Sequence, residues 1–175
     1  MPNYENTIDI KKLSEFANKC KAEILVGFLS GRQHVPTLHK DASGNYKTYN
    51  GKSPESMESI ETAELAKTLS YGGDGIPPRP FLEEGVLSKK EEILAEIKAQ
   101  TEKVHAGLKP NWDKVGTMAV GVIQEFVRGD YYRSHSPNSQ KTIDYKGSDT
   151  PLIDGGDLIN YMTFVVDGKV ADKEE

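Results

Sequence analysis

Three prolines fall within four residues in the stretch Gly75-Ile76-Pro77-Pro78-Arg79-Pro80-Phe81-Leu82, and they limit how this chain can fold. Each proline fixes φ near −65° and removes a backbone donor, and the residue before each is pushed to an extended conformation. Such a connector is stiff and cannot lie in the middle of a sheet. Pro80 stands where a helix can start. The stretch therefore predicts a rigid hinge followed by a helix that carries Phe81 and Leu82 to a packing surface.

The composition predicts a single domain with a small core. Of 175 residues, 36% are hydrophobic and 28% are charged, which is polar for a compact monomer and favours long arms ordered by a partner. A net charge of −5 argues against DNA or an anionic membrane as the main partner, but permits a protein that surrounds DNA without gripping it. No apolar run is long enough for a membrane span, and we expect a cytoplasmic, soluble chain. Cys20, the lone cysteine, is predicted to be a buried small hydrophobe.

Hydrophobic periodicity predicts four main helical segments and several strands. The predicted helices cover residues 9–22, 54–70, 80–107 (broken near Gly85 and restarted by a capping box at Ser88) and 112–128, with strands at 24–29, 142–145 and 159–166. Residues 112–128 have the strongest amphipathic pattern and should form the central helix, with Asn111 as its cap and Trp112 as a packing residue. Asp167-Gly168 is typical of a hairpin turn.

The remaining segments lack periodicity. Residues 31–57 are predicted to form an arm, a hairpin or a binding loop, and Asp41-Ala42-Ser43-Gly44-Asn45 within them is read as a loop because a calcium site would need further acidic ligands. Residues 129–140 are polar and turn-rich, and residues 169–175 are expected to fray. The predicted fold class is α/β (α+β): a small, mostly antiparallel sheet packed by several helices, with a long irregular insertion.

Few residues point to chemistry. The histidines His34, His39, His105 and His135 are scattered without metal-ligand spacing, so we predict no metal and no cofactor. Asp149, Asp154 and Asp157 form an acidic cluster that could do acid–base work, but aspartate beside glycine is the ordinary composition of turns. Arg79 is a charge on a rigid frame, for which a structural ion pair is expected. No catalytic residue is predicted.

Two motifs follow each other along the chain. The first is Ile76-Pro77-Pro78-Arg79-Pro80-Phe81-Leu82, and the second comprises Thr142-Ile143, Lys146-Gly147-Ser148-Asp149 and Pro151-Leu152-Ile153-Asp154-Gly155-Gly156-Asp157-Leu158. With these motifs in this order, the chain resembles the tail-completion or neck proteins of tailed bacteriophages, also called head–tail joining or virion-morphogenesis proteins. The resemblance extends to Glu23-Ile24-Leu25-Val26-Gly27, to Thr62-Ala63-Glu64-Leu65-Ala66 and to Ser70-Tyr71-Gly72, and so covers residues 22–30 and 58–167.

The resemblance implies an α/β fold and a structural, non-enzymatic role in the virion, after synthesis in the host cytoplasm. Subunits would form a ring, a hexamer or a dodecamer, at the head–tail junction. The ring would stack on connector or portal-adaptor proteins and on tail-terminator or tail-tube proteins, and the genome would pass through its lumen. Its motif residues would be Ile76, Pro77, Pro78, Arg79, Pro80, Phe81, Pro151, Leu152, Asp154, Gly156 and Leu158. Two features depart from the family: Gly155 stands where a threonine is expected, and the 31–57 segment is longer.

Other functions stay open on the sequence. A tail-terminator or sheath-end ring would share the symmetry. A small hydrolase could use the acidic cluster with His135 or His105, and a host-derived binding module would not self-associate. We expect the proline hinge and the 31–57 arm to lie at subunit boundaries, because both are poorly suited to a core.

Overall fold

A computed structural model describes residues 10–53, 56–73 and 75–170 of the chain. Its elements are α1 (Ile10–Cys20), β1 (Ile24–Phe28), β2 (Gln33–His34), β3 (Ile60–Glu61), α2 (Thr62–Tyr71), α3 (Phe81–Ser88), α4 (Lys90–His105), α5 (Trp112–Arg128), α6 (Tyr131–His135), α7 (Gln140–Lys146), α8 (Asp157–Asn160), β4 (Met162–Val166) and β5 (Lys169–Val170). Helices dominate, and the strands form two small antiparallel sheets. The predicted α+β class is confirmed.

The main sheet pairs β1, near the start of the described chain, with the hairpin of β4 and β5 at its end. Its strand order is β1-β4-β5, with Ile24 opposite Val166 and Phe28 opposite Met162. The predicted hairpin turn is confirmed, since Asp167 and Gly168 connect β4 to β5 and both have positive φ, as a type I′ turn requires. Lys169 and Val170 pair in β5, so the expected fraying is wrong there. Residues 171–175 lie outside the described residues.

The central helix is α5, with the bounds that its periodicity predicts. It buries Val115, Ala119, Val122, Ile123 and Val127. The Asn111 side chain accepts a hydrogen bond from the Lys114 backbone N–H (3.2 Å), which confirms the predicted cap. Trp112 packs against the cluster of Ile93, Val115 and Ala119, so its predicted packing role is also confirmed. Cys20, by contrast, is half-buried rather than buried.

The proline hinge works as a geometric connector. Gly73 and Ile76 exchange two backbone hydrogen bonds (3.1 and 2.8 Å), and the Arg79 N–H donates to the Leu69 carbonyl (2.9 Å), which ties the hinge to the end of α2. Helix α3 begins directly after Pro80. Phe81 is fully buried in the main core cluster and meets the Phe28 ring edge-on at 6.3 Å. The hinge therefore fixes the position of α3.

Two predicted helix boundaries are wrong. Helix α2 begins at Thr62 rather than near residue 54. Ile60 and Glu61 pair with β2 and are extended, so the helix can begin only after them. The break in the long helix lies at Lys89 rather than Gly85. Gly85 is buried inside α3, where a Cβ would lie 3.0 Å from Ile123 Cα, and Ser88 donates to the Gly85 carbonyl instead of capping α4.

The C-terminal third is more helical than predicted. Residues 142–145 belong to α7 and not to a strand, since Ser139 caps the helix through the Thr142 N–H (3.3 Å) and Gly147 ends it in the left-handed conformation. The turn-rich stretch 129–140 contains α6. The predicted strand at 159–166 begins only at Met162, because α8 occupies its first residues.

The 31–57 segment folds back onto the C-terminal third as an irregular hairpin. Lys47 Nζ donates to the Asp144 carbonyl (2.6 Å), Tyr145 donates to the Thr37 carbonyl (3.2 Å), and Tyr49 bonds the Thr142 hydroxyl (3.2 Å). Asp41 accepts from the backbone N–H groups of two following residues, so the loop interpretation of 41–45 is confirmed. The described part of this segment therefore packs against α7.

Candidate ligand pocket at the proline hinge

The two sequence motifs meet around one pocket of about 590 Å³. The hinge contributes one wall, α7 a second, and the turn that leads into α8 a third, while the folded-back arm adds His34, Tyr49 and Asn50. Seven of the predicted motif residues line it: Ile76, Pro77, Arg79, Leu152, Asp154, Gly156 and Leu158. The fold thus brings most of the sequence-predicted residues together.

The other four motif residues lie elsewhere. Pro78 is exposed beside the pocket, and Phe81 and Pro151 are fully buried. Pro80 lines a second, mainly apolar groove of about 280 Å³ with Phe28, Tyr71 and Leu82. These residues shape the hinge and the core, and they are not pocket walls.

Arg79 is the most buried charge in the pocket, with 5% of its surface exposed. Its Nε donates to the Ser136 carbonyl (2.9 Å) and its Nη2 to the Pro137 carbonyl (3.1 Å). No carboxylate of the described residues lies within ion-pair distance of the guanidinium, so the expected ion pair is not found among those residues. Burial lowers the pKa of the guanidinium from its usual value, because the buried site solvates the charge poorly.

Lysines add further positive charge. Lys146, at the end of α7, is half-buried and donates from Nζ to the Thr150 carbonyl (2.8 Å). Burial lowers its pKa, while Asp154 and Asp149 act in the opposite direction without lying within ion-pair distance. Lys141 is exposed at the rim, with Nζ 5.9 Å from the centre of the Tyr49 ring.

The acidic cluster is divided among separate basic partners. Asp157 pairs with His34 Nδ1 (2.9 Å), Asp154 with His39 Nε2 (2.8 Å), and Asp149 with Arg133 Nε (3.3 Å). The carboxylates therefore hold the arm and α6 in place. The sequence missed His34 and His39 as partners because more than a hundred residues separate each from its aspartate.

Neither histidine named for a hydrolase is bonded to one of these carboxylates among the described contacts. His135 stacks on the Tyr131 ring and its Nδ1 lies 2.9 Å from the Tyr131 carbonyl, while His105 packs edge-on against Phe16 at 5.9 Å. The catalytic set suggested by the sequence is therefore not assembled. Across residues 10–53, 56–73 and 75–170, no group of three or more histidine, cysteine or acidic side chains is arranged to hold a metal ion.

Gly155 and the long arm, the two departures from the family pattern, lie in contact. A Cβ at Gly155 would stand 2.5 Å from the Thr37 hydroxyl, closer than any ordinary contact. Because Gly155 has no side chain, Thr37 of the arm can occupy this space. Beside it, Gly156 has φ +91°, a left-handed conformation that favours glycine at the start of α8.

Comparison of the chain with family models, with curated proteins and with solved structures gives no match. Among the helices in the described part of the chain, none is long and apolar enough to cross a membrane.

Proposed function

We propose that this protein is a structural component of a tailed-phage virion that forms a ring at the head–tail junction. The ring would join the connector or portal-adaptor to the tail and surround the DNA channel. The observation that carries this proposal is that the two motifs of the resemblance, distant in sequence, line one pocket. A tail-terminator or sheath-end ring remains the alternative position within the same class.

An exposed apolar surface beside the hinge supports assembly. Tyr71 is 79% exposed and Ile76 36% exposed, and Pro77 and Pro78 are exposed as well. A ring needs two different, complementary surfaces on each subunit, and rigid side chains lose little entropy when they are covered. We expect this hinge surface to form one of the two.

The net charge supports a channel role. A ring of subunits with a charge of −5 each would repel the phosphate backbone, so the genome could slide through it without binding. The partners of the ring would accordingly be proteins: copies of itself, the connector and the tail terminator or tube.

Native mass spectrometry of the purified chain across a concentration series tests the assembly. A closed hexamer or dodecamer is expected. The double variant Pro77→Ala/Pro78→Ala should shift the distribution toward monomer with a smaller change in the free energy of unfolding. Pro110→Ala, in the connection between α4 and α5, should leave assembly unchanged. A wild-type monomer at every concentration, or equal loss of folding and assembly in the double variant, would count against the proposal.

The pair His34–Asp157 favours a second candidate, a hydrolase. A histidine oriented by a carboxylate in a pocket can act as a general base. Hydrolysis of simple ester or phosphoester substrates by the wild type, lost in His34→Gln with the ring intact, would favour the enzyme over the structural protein.

A further inference from the structure

The pocket holds positive charge that the described carboxylates do not neutralise. Arg79, Lys141 and Lys146 line it together with Asp154 and Asp157. Counting the arginine, lysine and aspartate side chains, the described lining carries one net positive charge. Both aspartates already accept from histidines of the arm, and the nearest polar contacts of Arg79 and Lys146 are backbone carbonyls.

Arg79 keeps donors for a ligand. A guanidinium has five N–H groups in a rigid fork, and two of them donate to Ser136 and Pro137. The other three have no acceptor among the described residues. Among the described residues this buried charge has no counter-ion, which is costly, and an anion that accepts from the fork would offset that cost.

The uncharged lining residues indicate which other chemical groups the ligand has besides an anionic one. Leu65, Leu69, Ile76 and Leu152 give it an apolar lining, and Ser139 and Thr142 are hydroxyl-bearing residues of the same lining. Its volume of about 590 Å³ is within the range of small-ligand sites, roughly 300–1,000 Å³. One monoanion neutralises a single net positive charge, whereas a dianion would leave the site with a net negative charge.

We propose that this pocket binds an organic monocarboxylate, with the carboxylate between Arg79 and Lys146 and an apolar body against the leucine wall. The carboxylate belongs either to a free carboxylic acid or to a glutamate or aspartate side chain of a protein segment. This inference goes beyond the structural role and does not depend on it, since the pocket lies within one chain.

Calorimetric titration at constant ionic strength tests the site with four probes. Hexanoate and the capped peptide acetyl-Leu-Glu-Leu-amide carry the carboxylate. Hexanamide is the neutral isostere of hexanoate, and inorganic phosphate is the competing anion. We expect saturable binding of at least one carboxylate probe, and weaker binding of hexanamide and phosphate. Tighter binding of the peptide assigns the pocket to a protein segment, and tighter binding of hexanoate assigns it to a free acid.

A matched pair of lysine variants locates the binding. Lys146→Met removes a charge in the pocket and should weaken the carboxylate probe about tenfold or more, as loss of a charge-assisted hydrogen bond predicts. Lys98→Met removes a lysine from the exposed face of α4 and should change nothing. In the wild type, the NMR signal of the Arg79 Nε–H should move with the same saturation curve, which keeps the test valid if Lys146→Met fails to fold.

Several results would overturn the proposal. They are the absence of saturable binding, equal binding of hexanoate and hexanamide, preference for phosphate, equal affinity in Lys146→Met and wild type, and an Arg79 signal that stays fixed as the probe saturates.

Discussion

Two glycines of α5 provide a matched test of how the central helix lies on the sheet. Gly116 faces β4, and a Cβ there would stand 2.2 Å from Phe164 Cδ2 and 2.6 Å from Cγ and Cε2. Gly121 is exposed on the same helix, and a Cβ there meets nothing within 4 Å. Gly116→Ala and Gly121→Ala therefore add the same methyl group to the same helix, once at a buried position and once at an exposed one.

The expected effects have opposite signs. Alanine in a helix interior is favoured over glycine by about 1 kcal/mol, so Gly121→Ala should raise the free energy of unfolding by about that amount. Carbon atoms in contact prefer about 3.5–4.0 Å, so at Gly116 the methyl must displace the Phe164 ring or the helix by roughly 1.3 Å. Overpacking of this kind costs about 3 kcal/mol, which leaves Gly116→Ala about 2 kcal/mol less stable than the wild type.

Urea denaturation followed by circular dichroism measures the gap of about 3 kcal/mol between the variants. In thermal scans the midpoints should differ by about 6–12 °C. The result bears on the pocket as well, since Gln124 of α5 donates to the Ile159 carbonyl (3.0 Å) and so positions α8 beside the aspartate turn. If both variants were stabilised equally, the described contact between α5 and Phe164 would be wrong.

Four further predictions concern the buried tyrosine, the hinge, the arm and the cap of α5. Burial and the hydrogen bond to Glu84 raise the pKa of Tyr132, so the folded state keeps a proton that the unfolded state loses above about pH 10. Through Tyr132 the free energy of unfolding should fall there by up to about 1.4 kcal/mol per pH unit. In urea titrations from neutral to alkaline pH the slope should be shallower in Tyr132→Phe, and Tyr145, whose pKa burial also raises, should keep part of it; an unchanged slope would contradict the prediction. Gly72→Ala should destabilise by about 2 kcal/mol or more in the same assay, because φ is +74° and the added Cβ would lie 2.7 Å from the Ile76 carbonyl; a neutral result would contradict the hinge geometry. Gly155→Thr should crowd the Thr37 hydroxyl and speed proteolysis within residues 31–53, and unchanged cleavage would show that the arm tolerates the side chain. Asn111→Ala should cost about 1 kcal/mol through loss of the α5 cap, and Asn111→Asp should retain most of it.

Local sequence rules were sufficient where the decisive contacts lie within one turn or one helix. The period of apolar residues and the Asn111 cap gave both ends of α5. The prolines placed the start of α3 and the burial of Phe81, since a ring that fixes φ acts on its own residue and the one before. Asp167-Gly168 predicted its hairpin because positive φ at both positions is a local requirement.

The same rules failed where a distant partner competes with local preference. Residues 142–145 alternate like a strand, yet no neighbouring strand pairs with them in the described structure, and the Ser139 cap and Gly147 terminus favour a helix. Ile60 and Glu61 read as helix but pair with β2. Gly85 was predicted to break the helix, but it lies inside α3 and allows the helix to pack closely on Ile123. Composition alone does not distinguish a glycine that ends a helix from one that allows close packing against another element.

The candidate pocket shows the same division. The sequence by itself determined the stiff hinge, the position of Arg79 on it and the glycine-rich turn before α8, because each depends on adjacent residues. Only the tertiary structure decided that these segments share a pocket, that Arg79 meets carbonyls, and that His34 and His39 hold the aspartates. Those contacts join residues up to 123 positions apart, and their free energy becomes available only once the core has fixed the chain between them.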